Sequence, residues 1–122
     1  MTLRLLPDSF SVCRLSTVPQ PPFPHSFCSL TVTQDEISWV GPSCCVPGDC
    51  LLREDGWRAF QVCGVLDFSL IGILARLTGL LSQHSIPVFA ISTYNTDYLL
   101  IKEDFLSRAI EALRSGEISI LI

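Results

Sequence analysis

Between residues 56 and 122 the spacing of apolar residues switches repeatedly between two and about 3.6, and that succession leaves few folds open. Residues 56–64, GWRAFQVCG, set Trp57, Ala59, Gln61 and Cys63 against Arg58, Phe60 and Val62, with a glycine at either end, which is a strand with one apolar face. Leu70, Ile73, Leu74, Leu77, Leu80 and Leu81 then recur at helical spacing, with Arg76 and Gln83 away from the stripe. Residues 69–84 therefore read as an amphipathic helix, with Asp67 or Ser69 placed to cap it. Residues 86–93, IPVFAIST, are β-branched and aromatic, with Pro87 near the start, where a missing N–H is tolerated. After the turn-prone Asn95-Thr96-Asp97, residues 98–101 form a short apolar strand. Residues 103–115 return to helical spacing through Phe105, Leu106, Ala109, Ile110 and Leu113. Glu103 and Asp104 suit the start of that helix and Arg114 its last turn, with Gly116 as the C′ stop. EISILI, residues 117–122, supplies a final strand. The order is β-α-β-β-α-β, a ferredoxin-like α+β arrangement.

The first half is a reduced echo of the second. Phe10–Leu15 and residues 27–33 are candidate strands, and Gln34-Asp35-Glu36 turns the chain into a third at residues 37–40. Where a helix would fall, residues 17–26 read TVPQPPFPHS and hold four of the chain's eight prolines, which exclude a helix. Residues 44–50 have room for one short turn. We therefore expect a degenerate lobe at residues 1–55, lacking a helix, and a complete module at residues 56–122.

A net charge of −4 with one lysine and no basic run argues against nonspecific nucleic-acid binding. The apolar run at residues 70–81 is interrupted by Gly72, Arg76, Thr78 and Gly79 and is too short to span a membrane. Pro7 and Asp8 break the apolar patch at the N-terminus, which makes a poor export signal, so the expected location is cytoplasmic. Few charges on a 48% hydrophobic chain leave apolar surface for a second subunit to cover, and we expect a homodimer. The six cysteines lack paired CxxC spacing, and His25 and His84 supply no standard second half of a zinc site. They read as buried or incidental thiols. No nucleophile motif and no Gly-rich phosphate loop is present, so no catalytic residue and no cofactor are expected.

The string LDFSLIGILARLTGLLSQHSIPVFAISTYNTDYLLIKE resembles the ACT-domain proteins, the small-molecule regulatory modules of amino-acid metabolism. More narrowly it resembles short stand-alone ACT-like proteins, related to the CASTOR-type amino-acid sensors, that share the STY-x-TDYLLI strand pair. The likeness extends more weakly into LPDSFSVCRL, FCSLTVTQDEISWV and REDGWRAFQVCG. It implies an amino acid or related small metabolite bound between paired modules, by the loop at residues 66–72 and the strand end at residues 93–97. A loop glycine of the sensors corresponds to Gly72, and their Thr-aromatic-x-x-Asp motif to Thr93, Tyr94 and Asp97. One of their acidic residues falls on Leu70, which removes a charge partner that arginine would use. A regulated protein partner is implied as well. The alternatives are an interaction or structural module without a ligand, or an enzyme accessory subunit.

Each of these residues also has a plainer role. Gly72 can admit a ligand carboxylate to backbone N–H groups, or simply allow tight packing against a strand. Asp97 can hold an ammonium or guanidinium group, or shape a turn between strands. Asp67 fits a helix cap better than a ligand contact. If residues 92–95 continue the strand, Ser92 and Tyr94 share one face and Thr93 and Asn95 the other. The backbone of residues 92–97, Thr96 included, would then bind more than its side chains do.

Overall fold

A computed structural model describes residues 1–64 and 71–122. Among these residues are eight strands: β1 (Thr2–Leu5), β2 (Phe10–Leu15), β3 (Ser29–Val32), β4 (Ile37–Pro42), β5 (Cys50–Val62), β6 (Phe89–Ser92), β7 (Asp97–Lys102) and β8 (Ser119–Leu121). Two helices, α1 (Ile73–Gln83) and α2 (Leu106–Ser115), lie in the second half. The chain divides into two compact units, one of Met1–Pro7 with Arg58–Ile122 and the other of Asp8–Trp57.

The larger unit is a ferredoxin-like module with strand order β6-β7-β5-β1-β8. The N-terminal patch ahead of Pro7, to which the sequence pattern assigns no element, is strand β1. It pairs antiparallel with β5 through Leu3↔Val62 and Leu5↔Phe60, and parallel with β8 through Thr2↔Ser119. Leu3 and Leu5 enter one core with Phe60 and Val62 of β5, Leu77 and Leu81 of α1, Leu99 and Ile101 of β7, and Ala109, Ala112 and Leu113 of α2. A fully buried side chain of the larger kind contributes about 1.5–3 kcal/mol, so two four-residue-scale contributors from β1 matter to the whole module.

Both helices end in the same way, and neither uses glycine at the left-handed position. After α1, Ser85 takes φ 57, with Ser85 N–H donating to Ser82 O (3.0 Å) and Ile86 N–H to Leu81 O (3.1 Å). After α2, Glu117 takes φ 65, with Glu117 N–H donating to Arg114 O (3.0 Å) and Ile118 N–H to Leu113 O (3.1 Å). These are paired Schellman bonds closed by burial of Ile86 on Leu81 and of Ile118 on Leu113. Gly116 is therefore not the left-handed stop that the sequence suggests. Its φ is −89, and Leu80 presses where its Cβ would stand. The same bonding draws Ile86 into the helix end, which shortens the expected strand at residues 86–93 to Phe89–Ser92. The second helical stretch opens as a 3₁₀ turn, Glu103–Phe105, before α2.

The smaller unit has strand order β3-β4-β2-β5, using the first part of β5, and no α-helix. Its one helical segment is the 3₁₀ turn Ser43–Cys45. One cluster of its core is Cys13, Leu15 and Trp39, with Cys28, Ile37, Val46 and Cys50 packed against it. The hairpin β3–β4 and the 3₁₀ turn repeat β6–β7 and Glu103–Phe105 sixty residues earlier, element for element.

Candidate ligand site

Gly72 lies directly before α1, not within its first turn. It is the N-cap residue at φ 84, and its carbonyl accepts the first helical bond from Arg76 N–H at 2.8 Å. A Cβ there would have open space, so it is the backbone angle that calls for glycine. Ile71 beside it is 95% exposed. Asp67, Leu70 and Ser69 lie outside the described residues, so their expected roles carry no structural account.

Strand β6 stops at Ser92, and residues 93–96 form a closed turn. Thr93 N–H donates to Thr96 O at 2.8 Å, Thr93 Oγ1 to the same carbonyl at 3.0 Å, and Thr96 N–H to Thr93 Oγ1 at 3.4 Å. The two-residue alternation expected through Thr93 and Tyr94 is therefore interrupted: Thr93 is tied into the turn, and the Tyr94 side chain stands 80% exposed at its tip. Ser92 faces Asp97 across the hairpin, and its hydroxyl donates to Asp97 Oδ1 at 2.5 Å. Ser92 is thus the partner of the candidate carboxylate, a pairing that becomes visible only once the hairpin register is known.

Thr96 is buried, 4% exposed, and its hydroxyl donates to Val62 O at 2.7 Å. That bond fixes the hairpin turn beside the end of β5, the strand whose exit leads toward Gly72 and α1. Thr93, Tyr94, Thr96 and Asp97 are brought together at this one end of the sheet, with Tyr94 outward, Thr96 inward and Asp97 half-buried. Such an end can offer a carboxylate, hydroxyls and an aromatic face to a small polar molecule. Among the described residues no three His, Cys, Asp or Glu side chains gather in a metal-binding group.

The described elements define a ferredoxin-like module joined in sequence to a helix-less copy of its own strand pattern. The chain belongs to the ACT-domain family, whose model matches residues 52–115. It is similar to a crystallised protein of Agrobacterium tumefaciens at 30% identity, covering 98% of this chain and 91% of that one with a TM-score of 0.86. The fold is shared with aspartokinase alpha and beta subunits, at 13% identity and a TM-score of 0.62 over 94% of this chain and 96% of that one. Among curated proteins, the human cytosolic arginine sensor for mTORC1 subunit 1 is 36% identical over 72 residues, which is 56% of this chain. The chain spans 22% of that sensor's length. No helix among the described residues is long and apolar enough to cross a membrane.

Proposed function

We propose that this chain is a noncatalytic, cytoplasmic regulatory protein that binds an amino acid or related small metabolite. The site is formed by residues 66–72 and the hairpin end at residues 92–97, at an interface between two copies of the module. The observation that carries this reading is the Thr96 hydroxyl bond to the Val62 carbonyl. It holds the turn bearing Thr93, Tyr94 and Asp97 against the end of the strand that enters the loop before Gly72, and ACT membership gives those two segments their meaning. The ligand ammonium pairs with Asp97, and its carboxylate with backbone N–H groups of the loop. A ligand shared by two copies favours one dimer arrangement over another and so changes the surface offered to a regulated protein, since only differential affinity shifts a population.

A second reading, an interaction module without a ligand, draws on the same atoms. Asp97 Oδ1 is already engaged by Ser92, and the Thr96 hydroxyl by Val62. Thermal-shift measurements with each proteinogenic amino acid separate the two. A ligand at a hundred times its Kd stabilises the fold by about 2.7 kcal/mol, and Asp97→Ala removes that gain. If no amino acid raises the Tm and Asp97→Ala is silent, the sensor reading fails and the interaction module stands.

A further inference from the structure

Five of the six cysteines, Cys13, Cys28, Cys44, Cys45 and Cys50, lie in the unit Asp8–Trp57. Packing accounts for three of them: Cys13 is in the core beside Leu15 and Trp39, and Cys28 and Cys50 pack against it. Cys44 and Cys45 differ. Both are exposed, on the 3₁₀ turn Ser43–Cys45, with their sulfurs 3.6 Å apart and hydrogen-bonded. Sixty residues later, the place of Cys45 is taken by Phe105, which packs against the core of its own unit. Core packing therefore does not explain the thiol at 45. Cys45 also lines a cavity of about 350 Å³ with Phe23, Trp39, Pro47 and Asp49.

We propose that Cys44 and Cys45 form a two-sulfur chelating site for a soft, thiophilic metal ion or metalloid. Two thiolates on one tetrahedral ion, each at about 2.3 Å from it, stand about 3.8 Å apart. The observed 3.6 Å needs only a small adjustment to reach that bite. Closure to a disulfide asks for far more. The sulfurs would have to approach to about 2.05 Å, and the bond prefers Cα atoms about 4.4–6.8 Å apart, whereas consecutive Cα atoms across a trans peptide are about 3.8 Å apart. The turn is thus set for chelation rather than for oxidation. On loading a metal ion, two S–H bonds release their protons to solvent and two sulfur–metal bonds replace bound water on the ion; with an arsine oxide, two sulfur–arsenic bonds form and the two protons leave with the oxide oxygen as water.

The test is titration of the reduced full chain with Cd²⁺, read by sulfur-to-cadmium charge-transfer absorption, and separately with phenylarsine oxide, read by intact mass. The wild-type chain is expected to take up one cadmium with the folded circular-dichroism spectrum retained. Cys44→Ser and Cys45→Ser each lose that binding, while Cys63→Ser, in the other unit, keeps it. A phenylarsine adduct lost in the same two variants extends the site to metalloids, and cadmium binding without the adduct confines it to metal ions. Cadmium binding that survives both substitutions, or its absence in the folded wild type, overturns the proposal. Because both side chains are exposed, serine at either position leaves the core intact, and the spectrum of each variant checks this.

Discussion

At position 72 the chain needs a positive φ more than it needs a small side chain. The site is open, so alanine clashes with nothing, yet it must adopt the left-handed conformation at the N-cap. Gly72→Ala is expected to lower stability by about 1–2 kcal/mol, measured by urea unfolding. The reverse holds after α2, where Glu117 occupies the left-handed C′ position at φ 65. Glu117→Gly is expected to raise stability by roughly 1 kcal/mol, the penalty of a non-glycine residue there being relieved. Sequence alone places the glycine of this helix end one residue early. Gly116 is a natural C′ candidate by composition, but Leu80, on a different helix, dictates that it be small, and a contact across 36 positions leaves no local mark. Ser92 is similar. Its tie to Asp97 depends on the hairpin register, whereas Asp97 itself is legible as a turn-adjacent carboxylate.

Among the elements, the two hairpins show how one strand pair serves with and without a helix above it. In the larger unit, Leu99 and Ile101 of β7 meet side chains from α1 and α2. The matching positions on β4 are Trp39 and Gly41, and a Cβ on Gly41 would stand 2.5 Å from the Trp39 ring. One large indole lying along the strand over a bare glycine fills space that two aliphatic side chains and a helix fill elsewhere. Gly41→Ala is expected to destabilise the smaller unit by about 1–3 kcal/mol, as overpacking does, with Trp39 fluorescence as the probe. The prolines of residues 17–26 make the absence of a helix legible, and the leucine stripe makes α1 legible, because each signal repeats over many positions. Strand β1 is not legible. Leu3, Leu5 and Leu6 precede Pro7 in a run too short for alternation to stand out, and its partners lie at residues 60–62 and 119–121.

At the scale of the molecule, the larger unit is assembled from both ends of the chain, with Asp8–Trp57 inserted between them. β1 lies between β5 and β8 in the sheet. Removing residues 1–7 takes Leu3 and Leu5 from the core and leaves β8 without a partner. That deletion is expected to cost roughly 3–6 kcal/mol from the two leucines alone, a large share of the stability of an ordinary domain. Differential scanning calorimetry of the truncated chain measures it, and a transition unchanged from the full chain would refute the role given to β1.

The parallel ladder between β1 and β8, with Ser119 N–H donating to Met1 O at 3.1 Å, also makes the first strand a separable part. It is flanked on both sides by β5 and β8, it carries its own pair of anchoring leucines, and at Pro7 the chain leaves it for the unit Asp8–Trp57. A synthetic peptide of residues 1–7 is therefore a natural complement for the truncated chain. A dye on such a peptide would report formation of the module in the manner of a split-protein assay.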